Sequence, residues 1–253
     1  MGIEDKKYRA IFSTDWSECL SPTGPFDFIS FTYPELEPDL KIVFKQYTSN
    51  HISLGDASKR IEGLLPSAIT EGQMDAYLDA SFATYKNVPD LIEWCLSRNI
   101  LFMINTTAMV GYFQRVFAKG LIPQIPVLSA NPLVQYTVSQ SDPGSVYPLY
   151  EIQDKGKNSE RAIRSFNIPD DKIMLMGDSG GDGAHFEWGA KQGAFLIGSM
   201  TKASLSAYCE KKNIRIDHRF GHSYAQGEDR DIYKEMEFDF MGLTSVIEER
   251  LGV

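Results

Sequence analysis

Apolar residues fall along this chain in two rhythms. Short unbroken runs, Tyr8 to Phe12, Ile100 to Ile104, Ile125 to Leu128 and Lys172 to Met176, end abruptly in polar or small residues, and Ala194 to Ile197 is a shorter fifth. Runs of that length, apolar on both faces, suit buried parallel strands. Between them the period lengthens to that of a helix. VPDLIEWCLSRN precedes the second run, AMVGYFQRVFAKG follows it, and NSERAIRSFNIP precedes the fourth. This alternation predicts an α/β fold, a Rossmann-like parallel sheet flanked by helices.

Residues 23–86 break the alternation. DLKIVFKQYTSN, SLGDASKRIEGLL and TEGQMDAYLDASFATYK are amphipathic helical tracts, with Leu40, Val43, Phe44 and Tyr47 on one face. So long an excursion after the first strand predicts a small helical cap domain at 23–86, on a core built from 1–22 and 87–253. Prolines and glycines in SDPGSVYPLYEIQDKGK predict a hairpin or irregular excursion over 141–157. The polar, weakly periodic stretch 217–235 reads as surface loop with a short helix. FMGLTSVIEERLGV reads as a closing amphipathic helix.

Composition narrows the class. The 253 residues are 43% hydrophobic and 23% charged, enough for one large core with an insert. A net charge of −9 argues against nucleic acid or an anionic membrane as the main partner. Cys19, Cys95 and Cys209 are odd in number and far apart, so they read as free thiols of a reducing compartment rather than zinc ligands or disulfides. The stretch MGIEDKKYRAIF has no leader-like apolar core, and no uncharged run approaches a membrane span. A soluble cytoplasmic protein is the expectation.

In an open parallel sheet, ligands sit beyond the carboxyl ends of the strands. Asp15 follows the first strand, Thr106 and Thr107 the second, and Asp178 and Asp182 of GDSGGD the fourth, while DKGKN offers Lys155 and Lys157 before it. Carboxylates, a hydroxyl and an ammonium converge on one rim. A carboxylate can attack phosphorus only where the charges on both are offset. Three crowded carboxylates would repel without a cation, and hard oxygen ligands suit magnesium.

The order of these motifs resembles the haloacid-dehalogenase (HAD) superfamily of phosphatases and related hydrolases, in its phosphoserine-phosphatase-like branch. An apolar strand followed by Gly-Asp and a second Asp four positions on, in GDSGGD, matches the family's fourth motif. ILFMINTT matches the second, and VLSANPLVQY followed by a lysine is similar to that branch, as is a helical cap after the first motif. The resemblance implies Asp15 as nucleophile on a small phosphorylated substrate. It implies Thr106 and Lys155 on the phosphoryl oxygens, and Mg2+ held by Asp15, Asp178 and the backbone carbonyl near Ser17. Asp182 would orient the metal-bound water or the lysine. Lys155 fits the third-motif role better than Lys157, which reads as a solvated lysine.

The first motif departs from the family. Asp-x-Asp-Gly-Thr becomes Asp15-Trp16-Ser17-Glu18-Cys19, so a serine stands where the general acid is expected. Three readings stay open. Glu18 acts as the acid, or the leaving group needs little protonation, as in phosphonate or carbon-centred hydrolysis. Alternatively the fold binds phosphate ligands without efficient turnover. Elsewhere, Cys19 reads as a small buried hydrophobe, and His185 as packing at a helix start. His218 and His222 read as loop residues rather than a metal pair. Trp16 is either core or a wall of the site.

Overall fold

The computed structural model describes residues 7–48 and 51–252. Residues 1–6 of the N-terminal stretch, Ser49 and Asn50 at the end of the first cap tract, and Val253 of the closing tract lie outside the described residues.

Seven strands form one parallel sheet: β1 (Ala10–Thr14), β2 (Ile100–Met109), β3 (Val127–Asn131), β4 (Ser145–Pro148), β5 (Ile173–Gly177), β6 (Phe195–Thr201) and β7 (His218–Ser223). Their order is β4-β3-β2-β1-β5-β6-β7. The chain builds outward from β1 on one side, then returns to β1 and builds outward on the other. The reversal falls between β1 and β5, whose register pairs Thr14 with Met176. Side chains of adjacent strand loops part at such a reversal, leaving a crevice at the carboxyl ends.

The continuous apolar runs are explained by two cores. Ala10, Phe12, Ile100, Phe102 and Ile104 face one layer, while Ile11, Leu101, Met103 and Leu175 face the other. Helices α5 (Val88–Ser97), α6 (Val110–Ala118) and α11 (Leu243–Leu251) cover the first face. Helices α7 (Asp154–Ser165), α8 (Gly183–Lys191) and α9 (Ala203–Lys211) cover the second. Each fully buried Leu, Ile or Phe contributes about 1.5–3 kcal/mol, so central strands apolar on both faces anchor the sheet.

Between β1 and α5 lie α1 (Asp27–Thr32), α2 (Glu37–Thr48), α3 (Leu54–Leu64) and α4 (Glu71–Ser81). Local chemistry sets their starts. Thr70 and Gln73 form a reciprocal capping box on α4. At α3 the Ser53 hydroxyl accepts from the Asp56 N–H, and Glu151 of the core accepts from the Leu54 and Gly55 N–H groups at 3.1 Å each. That carboxylate ties the inserted helices to the segment leading into α7.

Three expectations are corrected. Residues 141–157 hold no hairpin: Ser145–Pro148 pairs parallel with β3, and α7 begins at Asp154. Residues 217–235 contain the edge strand β7 before the short helix α10 (Ile232–Met236), so His218 and His222 are strand residues. Both are edge strands that bury little, and β4 puts only Tyr147 fully inside. Apolar pattern cannot reveal such strands. Finally β2 runs past Ile104 to Met109, with its register to β3 shifting between Asn105 and Met109. Among the described residues, no helix is long and apolar enough to cross a membrane.

Candidate active site

Asp15 is the residue after β1, and its N–H donates to the Met176 carbonyl at 3.0 Å. The strand pairing thereby delivers its side chain to the crevice beside β5. Its carboxylate is held at both oxygens: Oδ1 accepts from the Trp16 N–H at 2.6 Å, and Oδ2 accepts from Lys155 Nζ at 2.9 Å. The Thr106 hydroxyl accepts from the Ala108 N–H at 3.3 Å and lies close enough to favour the ionised Asp15 carboxylate. Thr106 is fully buried, whereas Thr107 lines the cavity above Asp15. The register of β2 to β3 shifts between Asn105 and Met109, the stretch that holds both threonines.

Lys155 is 1% exposed, and its ammonium lies 2.6 Å from Asp182 as well as 2.9 Å from Asp15. It stands in the first turn of α7, which Asp154 fixes by accepting from the Tyr150 and Glu151 N–H groups. Lys157 points to solvent and pairs with Asp154. Of the two lysines, the geometry brings Lys155 alone to Asp15.

The glycine-rich stretch after β5 has a steric reason. Asp178 follows the strand, and Asp182 folds back so that Oδ2 accepts from the Asp178 N–H at 3.0 Å. A Cβ on Gly177 would stand 2.5 Å from the Asp182 carboxyl carbon. Only a residue without a side chain lets this carboxylate return beneath its own strand. Oxygens of Asp15, Asp178 and Asp182 then lie within 4.8 Å of one another, all three residues buried.

Burial pushes the Asp15 carboxyl up; Lys155 opposes this and Asp182 adds to it. Asp178 is raised to about 8, first by burial, against the pull of Lys202, with Asp182, Asp15 and Glu18 adding to the rise. Burial alone would lower Lys155, but Asp15 and Asp182 outweigh it and hold the ammonium above its usual range.

The donor set fits a hard divalent cation. Three buried carboxylates face two ammonium groups, Lys155 and Lys202, leaving negative charge uncompensated. Among the described residues Asp178 Oδ2 has no hydrogen-bond partner; Lys202 Nζ is 2.8 Å away without hydrogen-bond alignment. A buried carboxylate oxygen in that condition is what a cation would complete. Ser17 lies on the wall of the same cavity.

The cavity measures about 450 Å3 and is walled on the far side by Phe44 and Tyr47 of α2. A residue the sequence reading did not name, Lys202, enters it from the end of β6 and pairs with both Asp178 and Glu18. Glu18 also accepts from Arg230 at 2.6 Å. Both of its oxygens are therefore engaged by cations. Glu18 has a φ of 60°, where a glycine sits freely and a glutamate does not. It occupies the position at which the family pattern carries glycine. Following β6 to its polar end at Thr201 would have singled out Lys202; nothing local links Glu18 to Arg230, 212 positions away.

The remaining candidates are structural. Cys19 is fully buried, and burial with the nearby carboxylates drives its thiol well up. Trp16 is core, packed against Phe82, Tyr112 and Phe113. His185 lies beneath the site inside α8 with Nε2 2.9 Å from the Ser159 hydroxyl. His222 meets Glu228 at the surface. Among the described residues the acidic trio is the one cluster arranged to share an ion.

No family model matches the sequence, and no curated protein does. Solved structures do. A phosphoserine phosphatase in a phospho-aspartyl intermediate analogue aligns over 95% of this chain and 99% of its own, with TM-score 0.63 and 14% identity. A substrate-bound phosphoserine phosphatase aligns over 83% and 94%, with TM-score 0.60 and 15% identity. A HAD family hydrolase from Salmonella enterica subsp. enterica serovar Typhi aligns over 96% of this chain and 73% of its own, with TM-score 0.68 and 14% identity. The chain therefore has the fold of the haloacid-dehalogenase superfamily, in the form seen in phosphoserine phosphatases.

Proposed function

We propose that the chain is a cytoplasmic, magnesium-dependent phosphatase acting on a small phosphorylated metabolite through an aspartyl-phosphate. The observation that carries this reading is Asp15 at the β1–β5 reversal, its Oδ2 facing the Lys155 ammonium at 2.9 Å on a cavity floor that also holds Asp178.

Each side chain has a part in that chemistry. An Asp15 oxygen forms the new bond to phosphorus as the ester P–O bond breaks, and water afterwards cleaves the acyl phosphate. Lys155 neutralises the approach of an anion to a carboxylate; of the two threonines, Thr107 lines the cavity and Thr106 does not, so Thr107 rather than the expected Thr106 would bond a phosphoryl oxygen. The Trp16 N–H and Lys155 fix the Asp15 carboxylate. Asp182 holds Lys155 and the Asp178 backbone at once, so it positions both. Asp15, Asp178 and the carbonyl of Ser17 would hold Mg2+, which supplies charge stabilisation of the phosphoryl oxygens. Phe44 and Tyr47, which line the cavity, would face the bound substrate.

Ser17 cannot donate a proton near neutrality, and both Glu18 oxygens are taken by Lys202 and Arg230. The leaving oxygen then takes its proton from water. This arrangement favours substrates with good leaving groups and slow turnover. It also supports a second reading, in which the site binds phosphate ligands without efficient hydrolysis.

Phosphate release from a panel of small phosphate esters tests the proposal. Release that requires Mg2+ and is abolished in Asp15→Asn is expected. Undiminished release by Asp15→Asn would overturn the assignment of Asp15.

A further inference from the structure

Beside the acidic trio stands a cation that the proposed chemistry leaves unused. Lys202 Nζ is 2.8 Å from Asp178 Oδ2, and its other partner is Glu18. The residue is anchored by its backbone as well, since its N–H donates to the Asp178 carbonyl at 2.8 Å. The stem cannot drift far, and the ammonium at its tip bridges two carboxylates.

Glu18 is built to be the alternative. It is kept at φ 60°, a costly conformation for a residue that carries a Cβ. Arg230 fixes it there through Glu18 Oε1 at 2.6 Å. Arg230 is itself locked by Glu235, a fully buried carboxylate that also accepts from Tyr85 at 2.5 Å and Tyr224 at 2.7 Å. A chain of satisfied polar groups thus runs from the core to Glu18 and holds it rigid. A rigid carboxylate beside a tethered ammonium is a resting place for that ammonium when Asp178 is taken.

We infer that Lys202 is a built-in counter-cation which a divalent metal must displace from Asp178, with Glu18 retaining the ammonium when it leaves. This rests on the reading that the trio binds Mg2+, and it adds a reason why this chain carries glutamate where the family pattern has glycine. The protein would be stable without metal, because Lys202 offsets the Asp178 charge. It would bind metal more weakly than the bare trio allows. On release Lys202 remains on the cavity wall, where it meets the anionic substrate.

The test is Mg2+ binding by calorimetry to metal-free protein without substrate. Lys202→Met should bind Mg2+ at least about tenfold more tightly than wild type, because the competitor is gone. Glu18→Gln, which leaves Lys202 no second carboxylate, should bind several-fold more weakly. Lys157→Met, at an exposed lysine, should match wild type. Should Lys202→Met unfold, Lys202→Gln keeps a hydrogen-bonding tip and makes the same comparison. Affinity equal to or weaker than wild type in a folded Lys202 variant would overturn the inference, as would Mg2+ binding unaltered by Glu18→Gln. Neither outcome touches the Asp15 assignment, which turnover alone decides; conversely an inactive protein showing this order of affinities keeps the inference.

Discussion

Lys155 Nζ and Asp182 Oδ1 meet at 2.6 Å inside the protein, from the first turn of α7 and the loop after β5. A buried ion pair is stable only when the remaining valences of both ions are met. Here they are: Lys155 also reaches Asp15, and the second Asp182 oxygen receives the Asp178 N–H. The pair thereby fixes Asp15 and the backbone of Asp178 together.

Lys155→Met leaves Asp15 and Asp182 facing each other without their shared cation. Breaking a buried pair from one side costs about 3–5 kcal/mol. Urea unfolding of the metal-free protein should register a loss of that size, with turnover gone. Lys157→Met should leave both within error, since that side chain is solvated.

Gly177→Ala tests the turn. Its Cβ would lie 2.5 Å from the Asp182 carboxyl carbon, which has no room to retreat beneath the strand. Overpacking of this kind costs about 1–3 kcal/mol. Gly63→Ala in α3, with nothing within 4 Å, should instead stabilise by about 0.5–1 kcal/mol through helix propensity. Denaturation midpoints shifting in opposite directions are expected.

The contrast between those glycines bears on what the sequence discloses. The central strands β1, β2, β3 and β5 were legible because both faces are buried and the apolar run is unbroken. The candidates at their ends, Asp15, Asp178 and Asp182, followed from the rule that ligands gather there, and Lys155 followed from the resemblance to the haloacid-dehalogenase superfamily. Edge strands β4 and β7 were not legible. With one bonded neighbour and little buried surface, Val146 and Arg219 need not be apolar or patterned, and Pro148 and Gly221 read as turn residues. Nor were Lys202, Arg230 and Glu235, whose partners lie across the fold from them. Long-range ion pairs leave no local period. Which of Thr106 and Thr107 lines the cavity depends on where β2 bulges, which no residue pattern announces.

Restoring the family's acid should speed the reaction. Ser17→Asp places a carboxyl on the cavity wall where serine has no usable proton. General acid–base catalysis contributes roughly 10²–10⁴-fold, so a gain of about tenfold or more in kcat is expected for esters with poor leaving groups. Esters with good leaving groups should gain little. A uniform loss across both would contradict the assignment of Ser17 to the leaving-group side.

His185 supplies a pH dependence. Burial, with Lys155 adding, pushes its imidazole down to about 3 from an ordinary 6.5. The folded state keeps it neutral while the unfolded chain takes up a proton. Its contribution is thus complete above about pH 6.5 and is lost as pH falls from there toward about 3. His185→Asn should be less stable than wild type at pH 7 yet lose less between pH 7 and pH 5, measured by urea midpoints. An equal pH slope in the two proteins would contradict this.

The most direct test of the account is a crystal structure grown with Mg2+ and beryllium fluoride, a mimic of a phosphoryl group on a carboxylate. The account requires the fluoride complex on an Asp15 oxygen within reach of Lys155, and Mg2+ shared by Asp15, Asp178 and the Ser17 carbonyl. Fluoride bound elsewhere, or Mg2+ that does not touch Asp178, would contradict it.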